Sequence, residues 1–191
     1  MRFAISTILG FFAAMAPALA EEQIIFPSHP VNITLNFQHI SGSYDSPASF
    51  VLETRGRRDV PYVRIGVPLA VRDQYGLSYD TQYLAVEHLD EHVAVLQRFA
   101  EWSELAQERG DVFTREVGRA SAGPTTRQNE RFRYTFLAGA LQIEFCAIGT
   151  CVSTWYMSAE NATAYRLVLE SVIEGTYESE LSDEDIDSVY Q

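Results

Sequence analysis

Residues 131–157, RFRYTFLAGALQIEFCAIGTCVSTWYM, constrain the fold more than any other part of the chain. Two dipeptides ending in glycine, Ala138-Gly139 and Ile148-Gly149, divide the stretch into Arg131 to Ala138, Leu141 to Ala147 and Thr150 to Met157. Glycine at the second place of a two-residue turn supplies the positive φ that tight hairpins need, so three antiparallel strands are expected. The first hairpin sets Phe132 opposite Phe145, Tyr134 opposite Ile143 and Phe136 opposite Leu141. On its other face Arg133 meets Glu144 and Thr135 meets Gln142. The second hairpin is expected to set Phe145 opposite Val152 and Cys146 opposite Cys151. A slip of one residue would put apolar against polar side chains throughout. The cysteines then form a non-hydrogen-bonded pair, whose Cα atoms lie about 4.5 Å apart, and a disulfide spans that distance. In this register Trp155 falls on the polar face with Gln142, Glu144 and the disulfide. It is expected either to lie under a second layer, such as the long helix, or to stand exposed for binding.

The rest of the chain punctuates itself with Gly and Pro. SGSYDSP (41–47), RGRRDVP (55–61) and VRDQYG (71–76) read as turns. Between them Asn32 to Ile40 alternates apolar and polar residues as a half-buried strand does. Ala48 to Thr54 and Tyr62 to Val71 also read as strands, the latter confined to an edge or a bulge by Pro68. Residues 83 to 109 carry a helical stripe of Leu89, Val93, Leu96 and Ala100, and Gly110 ends it. Tyr75, Tyr79 and Tyr83, spaced by four, would share a face if that stretch were helical. A closing helix follows Ser158, a good N-cap, with Ala162, Tyr165, Leu169 and Val172 as its apolar stripe. The expected fold class is α+β, a mainly antiparallel sheet of about six or seven strands with a long central helix and a C-terminal helix packed on it.

The first 20 residues, MRFAISTILGFFAAMAPALA, have one charge, an apolar run and a small-residue ending, the pattern of an export signal cleaved after Ala20. A single domain is expected over 21–175, followed by an acidic, disordered tail over 176–191. Residues 21–191 hold 13 arginines, no lysine and 26 acids, a formal charge of −13. That balance argues against nucleic acid, whose phosphates require cations. No later segment is apolar enough to span a membrane. A periplasmic or extracellular location follows, and it favours a disulfide between the two cysteines over a metal or redox motif.

Two patterns invite a functional reading. In EHLDEH (87–92), His88-x-x-Glu91-His92 has the spacing of an inverted zinc-protease motif, with the histidines as ligands and Glu91 as general base. No third ligand is marked, and both histidines share the arc of the core residues Val95, Leu96 and Phe99. The second pattern is a cluster of arginines, Arg115, Arg119, Arg127, Arg131 and Arg133, around the polar segment 120–130. Ion pairing with acids such as Glu144 is one use for them, and contact with a partner is the other. There is no serine elbow, phosphate loop or free cysteine nucleophile. The expected function is a non-catalytic exported binding module without cofactor, facing a protein or envelope component through Arg119, Arg127, Arg131, Arg133 and Trp155. The alternatives are a small metal-dependent hydrolase using His88 and His92, and an acidic inhibitor of a basic partner.

Overall fold

The computed structural model describes residues 22–36, 43–55, 59–73, 76–123, 131–147 and 150–178. The leader expected over 1–20, the tail beyond Glu178, Arg127, most of the 120–130 segment and the Ile148-Gly149 turn lie outside the described residues.

Among the described residues, ten strands and two α-helices follow one another as β1 (Gln23–Ile25), β2 (Asn32–Asn36), β3 (Ser43–Pro47), β4 (Ser49–Arg55), β5 (Val60–Asp73), β6 (Gly76–Ala85), α1 (Leu89–Arg109), β7 (Thr114–Ser121), β8 (Arg131–Leu137), β9 (Ala140–Ala147), β10 (Thr150–Met157) and α2 (Ala159–Glu174). A 3₁₀ turn, Val86–His88, leads into α1. The strands build two antiparallel sheets, one in the order β3-β2-β10-β9-β8-β7 and the other β1-β4-β5-β6. The fold is α+β, with one long and one C-terminal helix on antiparallel sheets.

The meander forms as its sequence dictates, up to one residue. β8 and β9 pair Phe132 with Phe145, Arg133 with Glu144, Tyr134 with Ile143 and Phe136 with Leu141. Ala138 (φ 48°) and Gly139 (φ 93°) are both left-handed, as a type I′ hairpin turn requires. Cys146 faces Cys151 and the two form a disulfide. The register then shifts between Cys151 and Ser153, so Phe145 faces Ser153 instead of the expected Val152. A single extra residue in one strand is a β-bulge, and it sends every later side chain to the opposite face. Trp155 therefore lies opposite Ile143 and turns inward, where it is 2% exposed. This overturns its expected place on the polar face and removes it as a contact residue.

The apolar face of the six-stranded sheet carries Leu35, Trp155, Ile143, Tyr134 and Phe136, all buried. α1 lies over β7 and β8, and α2 over β9 and β10. Phe99 of α1 sits 5.6 Å from Phe136. The smaller sheet closes the same side, with Phe50 of β4 6.1 Å from Tyr165 of α2. Trp155 Nε1 donates to Asp80 Oδ2 on β6 at 2.7 Å, satisfying the one polar atom of a buried indole. Ser158 caps α2 by accepting from the Asn161 N–H.

Four elements differ from their sequence reading. The helical stripe begins at Leu89, not 83, because GLSYDTQYLA pairs along β5 as a strand. Tyr79 and Tyr83 thus share a strand face instead of a helix face. The 41–47 turn contains β3, an edge strand ending in Pro47. β1, three residues long, and β7 were both hidden. β7 carries a bulge between Glu116 and Gly118, which breaks the alternation that marks a strand. Gly118 also lets α1 approach closely, since a Cβ there would lie 2.9 Å from Val95 Cγ2. Among the described residues no helix is long and apolar enough to cross a membrane.

Candidate functional site

The EHLDEH stretch grips one backbone unit. His92, fully buried, donates from Nε2 to the Ser121 carbonyl at 2.9 Å. Because a carbonyl only accepts, Nε2 carries the proton and Nδ1 accepts from the Tyr134 hydroxyl. Tyr134 is in turn hydrogen-bonded to the buried Tyr165 hydroxyl. Glu91 Oε2 accepts the Ser121 N–H at 2.9 Å, while its Oε1 meets His88 Nδ1 at 3.1 Å. Two side chains that are neighbours on α1 therefore hold both backbone polar groups of Ser121, at the end of β7.

Electrostatics follow from this arrangement. Burial pushes His92 down to about 4, against the upward pull of the Ser121 carbonyl and Glu91, so the ring is neutral at pH 7. Burial raises Glu91, but the Ser121 N–H and His88 outweigh it and hold the carboxyl below its ordinary value. Tyr134 and Tyr165 are pushed up, chiefly by burial. His92 has no lone pair left for a metal ion, and His88 lies in the 3₁₀ turn ahead of the helix face it was expected to share. Among the described residues no three His, Cys, Asp or Glu side chains gather to hold a metal.

The arginines divide into two groups. Arg119 and Arg133 face each other across β7 and β8, and each is matched by an acid. Arg119 Nε lies 2.9 Å from Glu116, and Arg133 Nη2 lies 2.6 Å from Glu144. The Arg119 guanidinium holds the Glu116 carboxyl below its ordinary value. Arg131 is exposed and lies opposite Cys146 on β9. Among the described residues ion pairs also engage Arg55, Arg64 and Arg166, and none engages Arg109, Arg115 or Arg131.

Arg109 and Arg115 meet at a cleft that the sequence did not single out. α1 ends at Gly110 (φ 70°), which turns the chain so that Phe113 comes back beneath the helix end. Phe113 stacks on Phe136 with centroids 4.5 Å apart, and Trp102 lies 6.1 Å from Phe113. The Arg115 guanidinium stands over the Trp102 ring at 5.5 Å. Trp102, Leu105, Ala106, Arg109, Phe113 and Arg115 line a cleft of about 150 Å³ together with Asp111. Leu105 (45% exposed) leaves apolar surface in the lining, and Val112 (81% exposed) adds more, between the lining residues Asp111 and Phe113 in sequence. Sequence held one usable sign, the apolar pair Val112-Phe113 directly after a helix stop, where polar residues are usual. Comparison with known protein families, curated proteins and solved structures finds no match.

Proposed function

We propose that the protein is an exported, non-catalytic interaction module that docks another protein at the Trp102–Arg115 cleft. One observation carries this reading. A half-buried tryptophan, two arginines without acid partners among the described residues, and exposed Leu105 and Val112 converge at one place on an otherwise acidic chain. Tryptophan and arginine dominate the energetic centres of protein interfaces. At about 150 Å³ the cleft is smaller than the roughly 300–1,000 Å³ of small-molecule pockets and suits a single apolar side chain of a partner.

Export is supported by the leader-like sequence of residues 1–20 and by the Cys146–Cys151 disulfide. The hydrolase alternative would require His92 to give up both of its protein partners, in a site that excludes water from the ring. Arg119 and Arg133 offer less to a partner, since they already hold Glu116 and Glu144.

A photo-crosslinking residue at position 105 or 112, with position 119 as control, tests the reading in intact cells. A discrete adduct from 105 and 112, absent from 119, supports it. Adducts from 119 alone, or none from the cleft, reject it.

A further inference from the structure

The Cys146–Cys151 disulfide sits in a setting unlike that of a bond that merely holds the fold. It joins neighbouring strands already paired from Thr150 to Met157, so the hydrogen-bond ladder holds the hairpin without it. Its sequence separation is 5, and so short a loop gains the least chain-entropy stabilisation from closure. Cys151 is exposed, and Cys146 lies on the outward face with Glu144 rather than with Ile143. Arg131 stands directly opposite Cys146 on the other side, completing a row of Arg131, Cys146 and Cys151 across three strands. Glu144, two residues before Cys146 on the same strand face, is paired with Arg133. Among the described residues no acid is paired with Arg131, which stands as the cation opposite Cys146.

We infer that Cys146–Cys151 is a thiol–disulfide exchange site for a protein dithiol, with Arg131 stabilising the Cys146 thiolate. A thiolate of the dithiol attacks Cys151 Sγ, the accessible sulfur. The Cys146–Cys151 bond breaks, and its electron pair leaves on Cys146 as a thiolate beside the Arg131 guanidinium. The second thiol of the partner then loses its proton to solvent and attacks the mixed disulfide, releasing Cys151. Two electrons and two protons have moved: the partner is oxidised to a disulfide, and Cys146 and Cys151 are reduced to thiols. The reverse sequence reduces a partner disulfide. Arg131 acts here as a positioning charge that makes Cys146 the better leaving group.

The test uses the full chain and glutathione as the probe. The disulfide should equilibrate with a mixed reduced and oxidised glutathione buffer while circular dichroism reports an intact sheet. Arg131→Gln should slow reduction severalfold, because a leaving thiol of higher pKa leaves more slowly. It should also raise the pKa of the Cys146 thiol, read by thiolate absorbance in a reduced Cys151→Ser variant, and Arg131→Lys should restore most of both. A disulfide that glutathione leaves intact in the folded chain would overturn the inference. So would loss of the fold on reduction, or an Arg131→Gln variant matching the wild type in rate and thiol titration.

Discussion

His92 and Ser121 are joined by a 2.9 Å hydrogen bond from a wholly buried imidazole to a backbone carbonyl, and Glu91 holds the N–H of the same residue. What reads in the sequence as a metal motif is thereby a fastening between the start of α1 and the end of β7. The arrangement has a consequence for acid stability.

The folded-state pKa of His92 is depressed from 6.5 to about 4. Above pH 6.5 neither state binds the proton, and stability is independent of this group. As pH falls below 6.5 the unfolded chain takes up a proton that the folded chain refuses, so stability drops until pH reaches about 4. The full loss is about 3 kcal/mol. Urea unfolding midpoints between pH 7 and 4 should fall more steeply for wild type than for His92→Gln, which cannot titrate. Parallel pH profiles would show that the ring is solvated. At the alkaline end, buried Tyr134 and Tyr165 keep their protons past the ordinary tyrosine value, so stability should fall as pH rises above about 10.

The bulge between Cys151 and Ser153 predicts opposite surroundings for the two tryptophans. Trp155 is buried and donates to Asp80, whereas Trp102 is half-buried at the cleft. Acrylamide should quench Trp102 in Trp155→Phe severalfold more than it quenches Trp155 in Trp102→Phe. Equal quenching would restore the unbulged register. Trp155→Ala should also cost about 3–5 kcal/mol of stability, the cost of emptying a large core position.

At Gly118, Val95 of α1 packs directly against the backbone of β7. A methyl group would meet Val95 Cγ2 at 2.9 Å, closer than carbon atoms pack. Gly118→Ala should destabilise by about 1–3 kcal/mol as helix and strand are pushed apart. Gly118→Ala combined with Val95→Ala should recover part of that loss. Thermal unfolding of the two variants decides, and a neutral Gly118→Ala would mean that the helix adjusts freely.

Much of the fold is legible because its elements are periodic over many residues. The β8–β9 register follows from alternation, charge pairing and one turn, and these agree with one another. Two of the errors have a common cause in single-residue irregularities. A bulge after Cys151 turned Trp155 inward, and another at Glu116–Gly118 hid β7. Local pattern does not reveal where a strand gains a residue, because the gain is set by the sheet it joins. The cleft was unreadable for a different reason. Trp102 lies on α1 and Phe113, 11 positions later, in the connection that follows it, and the turn at Gly110 brings them to 6.1 Å. Arg119 and Arg133, in the arginine cluster around residues 120–130, drew attention, yet Arg119 pairs with Glu116 on its own strand and Arg133 with Glu144 across the sheet.

The most direct test of the docking site compares two faces of the molecule against one captured partner. Once an adduct at position 105 has identified that partner, its affinity is measured for wild type, Trp102→Ala and Arg133→Ala, each first shown to unfold cooperatively. Trp102→Ala should weaken binding about 30-fold, the 2 kcal/mol of an interface hot spot, with Arg133→Ala within about twofold of wild type. Full affinity in Trp102→Ala together with a large loss in Arg133→Ala would contradict the account and move the contact to the outer face of the six-stranded sheet.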